Sequence, residues 1–147
     1  MTAERARVHF RLTQDADGYP PVGVETLWAR RGEQANEYVI DNVPFFVCEA
    51  TLGDLIAIIE EDGQRWFFKL LDSAGHSLIR IVFFDDTCVQ EISDQLRSLG
   101  CWTEYEATHK LLAVDMPTRA SLAQAQSLLR REAATGRIDY EEAILRE

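Results

Sequence analysis

Ser73–Phe84, SAGHSLIRIVFF, is where the sequence changes kind. Before it, short apolar alternations are broken every 8 to 12 residues by turn-forming residues, the pattern of a small antiparallel sheet. After it, apolar residues recur at helical spacing over two long segments. The SAGH residues read as a glycine-containing hinge. LIRIVFF, Leu78–Phe84, reads as a strand that opens a second module.

Upstream of the hinge, LIAIIEEDGQRWFFKLL reads as a hairpin. Its arms are Gly53–Glu60 and Arg65–Leu71, and the Asp62-Gly63 pair supplies the positive φ angles of a tight connection. Further back, Arg7–Leu12 alternates Val8, Phe10 and Leu12 with Arg7, His9 and Arg11, which predicts a half-buried strand. The segment DADGYPPVGVETLWARR leaves that strand through Asp15, Asp17 and Gly18. Pro20 and Pro21 then fix φ without offering an amide hydrogen, and the chain re-enters a strand over Val24–Arg30. This reading makes the prolines a rigid entry that sets the register of Trp28 toward the core; the alternative is a recognition loop. The short strand Glu37–Asp41 lies between RGEQANE and DNVPFF, and Phe45 and Phe46 are expected to cover an open end of the sheet.

Downstream, the order is strand Leu78–Phe84, helix Thr87–Leu99, strand Cys101–Glu106, strand Lys110–Asp115, helix Arg119–Thr135 and strand Ile138–Leu145. Val89, Ile92, Leu96 and Leu99 share one helical face, as do Leu122, Ala125, Leu128 and Leu129. Asp86 or Thr87 is the expected cap of the first helix, Gly100 its stop, and Thr118 the cap of the second. In the last segment Ile138, Tyr140 and Ile144 share strand parity, although Tyr140 and Ile144 also stand one helical turn apart. The expected fold is α+β. Residues 1–74 form a small antiparallel β-barrel or coiled sheet, and residues 75–147 a ferredoxin-like βαββαβ sandwich.

Composition narrows the function classes. An apolar share of 46% with charges spread along 147 residues describes a folded chain rather than a disordered one. No apolar run approaches the roughly 20 residues of a membrane helix, and MTAERARVHF lacks the apolar centre of a signal peptide, so the expected location is cytoplasmic. The net charge of −10 opposes binding to nucleic acid or anionic membrane and favours a basic partner. Cys48, Cys88 and Cys101 are too few and too far apart for a disulfide framework and are expected to be buried as small hydrophobes.

Sites for chemistry are scarce. His9, His76 and His109 are scattered, no CxxC or HExxH spacing occurs, and neither a metal nor a cofactor is expected. His76 beside Ser77 resembles a base and nucleophile, but adjacent strand residues point to opposite faces, so the chain is not expected to be an enzyme. Trp28, Trp66 and Trp102 read as core or rim residues. Two acid groups remain: Glu60, Glu61 and Asp62 at the hairpin turn, and Asp85 with Asp86 before a helix. Turn acids project into solvent, whereas acids before a helix also serve its dipole.

Taken in order, DADGYPPVGVETLWAR, IDNVPFF, LGDLIAIIEEDG and GHSLIRIVFF resemble an uncharacterised bacterial family classed as a domain of unknown function. The resemblance runs over nearly the whole chain to DYEEA. It carries no assigned chemistry. By analogy of class, small acidic bacterial proteins of this kind imply an immunity protein that neutralises a cognate toxin domain delivered by secretion or contact. The partner would be a basic, nuclease-type domain, met by Glu60, Glu61, Asp62, Asp85 and Asp86. The alternative is a non-catalytic regulatory module that binds a small molecule.

Overall fold

A computed structural model describes residues 4–146. The fold is mixed α+β, with a five-stranded sheet, a four-stranded sheet and two α-helices. Two compact units are present, the first ending at Ala74 and the second beginning at Gly75.

The first unit contains β1 (Arg5–Arg11), β2 (Val24–Arg31), β3 (Glu37–Ile40), β4 (Leu55–Glu61) and β5 (Gln64–Asp72). Each pairs antiparallel with the next, and β1 meets β5 in parallel at His9 and Trp66. The parallel seam follows from counting. In an up-and-down series of five strands the first and fifth point the same way, so a sheet that returns to its first strand must close in parallel. Alternation then selects the interior. Val8 sits opposite Leu27, and both are buried with Phe10, Ala29, Tyr38, Ile40, Ile56 and Ile58. Phe10 stacks on Phe67 with ring centroids 4.6 Å apart.

That register corrects the expectation for Trp28. Leu27 and Ala29 take the interior positions, so Trp28, opposite Arg7, faces outward and is 38% exposed. Trp102 is 55% exposed on β7 (Trp102–Glu106), so it too lies outside a core. Of the cysteines, Cys88 and Cys101 are buried but Cys48 is exposed.

The tight turns fall where the sequence supplies the backbone freedom. Asp62 and Gly63 have φ of 52° and 77° and connect Glu61 to its partner Gln64. At Gly32 the constraint is space. A Cβ there would lie 3.1 Å from the Glu37 Cβ and 3.2 Å from its carbonyl oxygen, across the β2–β3 turn.

The second unit contains β6 (Ser77–Phe83), a 3₁₀ turn (Asp86–Cys88), α1 (Val89–Ser98), β7, β8 (Leu111–Met116), α2 (Arg119–Ala134) and β9 (Ile138–Ile144). The sheet order is β7-β8-β6-β9, and every pair is antiparallel. Ile79, Ile81 and Phe83 of β6 join Leu112, Val114 and Met116 of β8 in a core with Ile92 and Leu96 of α1 and Leu122, Ala125 and Leu129 of α2. The α2 N-terminus has a capping box. Thr118 Oγ1 accepts from the Ser121 amide at 3.0 Å, and Ser121 Oγ accepts from the Thr118 amide at 3.1 Å.

Two local readings change. The chain enters α1 through the 3₁₀ turn, which Asp85 caps; the residue before α1 itself is Cys88, which makes no side-chain cap bond, so neither Asp86 nor Thr87 caps the helix. The end of β9 is irregular: Ile79 faces Glu142, but Leu78 faces Ile144, so one extra residue is inserted between the two pairs. Tyr140 and Glu142 therefore share the helix-covered face, whereas Ile144 joins Leu78 on the other. Simple parity would have placed Ile144 with Tyr140.

Candidate functional site

The β4–β5 hairpin carries Glu60, Glu61 and Asp62 at its tip, all exposed. They are not equivalent. Glu61 Oε2 accepts from Arg11 Nη2 at 2.9 Å, and both side chains are at least half exposed, a geometry that contributes little to stability. Glu60 instead lines a shallow groove of about 300 Å³ with Glu33 and Glu37 from the β2–β3 hairpin, together with Arg31 and Tyr38. Among the described residues, the carboxylates of Glu33, Glu37 and Glu60 take part in no ion pair or hydrogen bond. Three uncompensated acids thus share one concavity beside the tip.

Glu33 and Glu37 were missed in the sequence because they sit in a turn-forming stretch, RGEQANE, where acids read as ordinary solvated residues. The available signal was pairing. Once β3 is placed beside β4, with Glu37 opposite Ala57, the β2–β3 turn must lie near the β4–β5 tip.

Asp85 and Asp86 belong to the second unit and are largely occupied. Asp85 Oδ1 accepts from the Thr87 amide at 3.0 Å and from its hydroxyl at 2.5 Å. The hydroxyl bond, then the amide bond, hold the Asp85 carboxyl below its ordinary range. Asp86 lies 3.9 Å from Lys110.

A further pair escaped the sequence reading. His76 Nδ1 lies 2.8 and 2.9 Å from the two carboxylate oxygens of Asp115, which is buried on β8. The neighbouring hydroxyl is engaged elsewhere: Ser77 Oγ accepts from the Arg146 amide at 2.8 Å. The signal for this pair was an acid inside LLAVDM, a strand of six buried residues, because a buried carboxylate requires a partner. Among the described residues no group of three His, Cys, Asp or Glu side chains is placed to hold a metal ion.

The DGYPPVGVE and DNVPFF stretches meet through Glu25 and Tyr19. Glu25 accepts from the amides of Phe45, Phe46 and Val47 at 2.7, 2.8 and 2.9 Å. Tyr19 packs edge-on to Phe46, with centroids 6.3 Å apart. Asn42 Oδ1 accepts from the Trp28 amide at 2.8 Å, which ties the DNVPFF stretch to the middle of β2. Their spacing thus serves to hold one loop on the end of β2.

This two-unit α+β fold also occurs in a solved structure described as a novel crystal structure of a hypothetical protein from Neisseria gonorrhoeae. The two match with a TM-score of 0.78 and 18% sequence identity, over 100% of this chain and 99% of the other. The chain belongs to DUF4265, a family described as a domain of unknown function, whose model matches residues 25–140. No curated protein matches it. No helix among the described residues is long and apolar enough to cross a membrane.

Proposed function

We propose that this protein is a non-catalytic immunity protein that binds a cognate, basic, nuclease-type toxin domain in the bacterial cytoplasm. The observation that carries this reading is the groove in which Glu33, Glu37 and Glu60 stand without cationic partners beside Glu61 and Asp62. A nuclease surface must be basic to hold phosphates, so carboxylates set in a concavity compete for the same Lys and Arg side chains. A net charge of −10 adds steering and faster encounter. Asp85 and Asp86 are secondary contacts in this scheme, since Asp85 is occupied by Thr87.

Architecturally, we read the first unit as a small β-barrel and the second as a ferredoxin-like sandwich. The ring of pairings from β1 to β5 supports the first reading. The order β7-β8-β6-β9, with a helix in each crossover, supports the second.

The test uses the products of genes adjacent to this one. Replacing Glu33, Glu37 and Glu60 together by Ala is expected to slow association with the cognate toxin domain and to flatten its salt dependence, with the fold retained. Replacing Glu60, Glu61 and Asp62 together is expected to act in the same direction. If no neighbouring product binds, or if binding is indifferent to salt, the immunity reading falls.

One observation favours the regulatory alternative. A groove of about 600 Å³ between α1 and α2 is lined by Leu99 and Leu128 together with Gln95, Gln124, Arg131 and Glu132, a mixture suited to a small molecule that carries both charges and an apolar body, such as an amino acid. A thermal-shift screen against amino acids and other carboxylates separates the two readings. A ligand at 100 times its dissociation constant stabilises by about 2.7 kcal/mol.

A further inference from the structure

The same five-stranded unit that carries the acid groove has an outer face of opposite character. Val8 and Phe10 point inward, so the outward positions of β1 are Arg5, Arg7, His9 and Arg11. On β2 the outward positions are Val24, Thr26, Trp28 and Arg30. None of the eight is an acid, in a unit whose sequence contains thirteen acids and seven bases.

Indole rings flank β1 on both sides. Trp28 lies opposite Arg7 on β2, and Trp66 lies opposite His9 on β5. The Arg5 and Arg7 guanidinium carbons stand 4.8 and 4.9 Å from the Trp28 ring centroid, and that of Arg11 stands 3.9 Å from Trp66. The His9 ring tilts on Trp66 at 5.2 Å, and its Nδ1 lies 2.7 Å from Thr26 Oγ1.

The cations differ in how they are balanced. Arg5 is 3.2 Å from Asp41 and Arg11 is 2.9 Å from Glu61, but Arg7 has no carboxylate partner among the described residues. Arg7, His9, Thr26 and Trp28 line a depression of about 280 Å³. An unbalanced guanidinium, a hydroxyl, an imidazole and the exposed indole therefore converge on one concave spot.

We infer that this depression binds a nucleoside phosphate, with Arg7 on the phosphate and the base stacked in the layer formed by Trp28 and its guanidinium neighbours. Cations interleaved with aromatic faces are the arrangement that holds single-stranded nucleic acid without sequence preference. An acidic peptide would use Arg7 but leave the indole layer without a stacking partner. Net charge argued against nucleic acid because it averages over the whole molecule, whereas the pleat of β1 sorts the bases onto one face. At physiological ionic strength the Debye length is about 8 Å, so acids farther away are largely screened. The site is separate from the acid groove of the proposed function and does not depend on it.

The test is calorimetric titration of the full chain at 0.15 M salt with thymidine monophosphate, a thymidine hexanucleotide, inorganic phosphate and hexaglutamate. Saturable binding of the two thymidine ligands, with phosphate and hexaglutamate at least tenfold weaker, is the expected result. A hexanucleotide that binds tenfold tighter than the mononucleotide identifies the ligand as single-stranded nucleic acid, and equal affinities identify it as a free nucleotide. Arg7→Ala and Trp28→Ala are each expected to weaken binding by about tenfold. Trp28→Phe, which keeps a ring and tolerates the same exposed position, is expected to restore most of it. The double Ala variant of Glu33 and Glu37, neither of which pairs with a cation of this face among the described residues, should bind as the wild type does. Absence of saturable binding, equal binding of phosphate or hexaglutamate, or an unchanged affinity in Arg7→Ala would overturn the inference.

Discussion

The two units solve the same problem, satisfying backbone groups at the ends of their elements, by different means. In the first unit carboxylates bind loop amides, two of them across long stretches of sequence. Glu25 accepts from Phe45, Phe46 and Val47 and buried Asp54 from Ala74 as well as Thr51, whereas Asp15 with Asp17 and Tyr19, and Glu49 with Cys48, act locally. In the second unit these bonds are local: Thr118 with Ser121 at the start of α2, Asp85 with Thr87 at the 3₁₀ turn, and Glu106 with the Thr108 and His109 amides between β7 and β8. A sheet with long connecting loops has amides that no ladder reaches, and Glu25 and Asp54 bond some of them from 20 or more residues away. Helical crossovers satisfy most of their own amides, and a residue two or three positions away finishes the work. This explains why the first unit carries idiosyncratic stretches such as DGYPPVGVE and DNVPFF, while the second is written mainly in apolar spacing.

The comparison can be broken by substitution. The largest effects are expected in the two cores, where the units should behave alike. Phe10→Ala removes a ring stacked on Phe67 and is expected to cost about 3–5 kcal/mol, and Leu96→Ala, at the centre of α1, about 2–5 kcal/mol. Urea denaturation of each variant measures both. Next comes the contrast itself. Glu25→Ala strips a charged acceptor from three amides and is expected to cost about 2–3 kcal/mol, with faster hydrogen exchange at Phe45, Phe46 and Val47. Thr118→Ala removes a local cap and is expected to cost about 1 kcal/mol. If the cap proved more costly than the clamp, the distinction between the units would fail.

Smaller effects sharpen it further. The Asp85 carboxyl is held below its ordinary value of 3.8 by the Thr87 hydroxyl and amide. A carboxyl depressed in the folded state stabilises fully above its unfolded pKa and loses that contribution as pH falls through the folded value. Acid titration of the chemical shifts should therefore place Asp85 below 3.8, and Thr87→Val should move it upward. Thiol reactivity gives a last contrast. Burial pushes the Cys101 thiol up to about 11 and raises that of Cys88, so alkylation at pH 8 should label exposed Cys48 first, as peptide mass spectrometry would read.

How much was legible in the sequence follows the same division. Both helices, their apolar faces and the Thr118 cap stood in the sequence, because helix periodicity and capping are decided within a few residues of one another. The β4–β5 hairpin was equally clear, since Asp62-Gly63 dictates its turn within two residues. The hairpin acids Glu60, Glu61 and Asp62 were recognisable as projecting, but their grouping with Glu33 and Glu37 depends on β3 pairing with β4.

What the tertiary structure alone decided concerns register and long-range pairing. Trp28 faces outward because Val8 selects Leu27 as its interior partner, and no alternation read within β2 alone can choose between the two parities. One inserted residue near the end of β9 sends Ile144 to the face opposite Tyr140, a shift invisible in a pattern of apolar residues. Asp115 announced only that it needed a partner; that the partner is His76, 39 residues earlier, follows from the packing of β6 against β8. Local sequence sets which elements form, because their energies are short-ranged. Which faces meet is set by burial and by bonds between distant residues, whose energies exist only once the chain has brought them together.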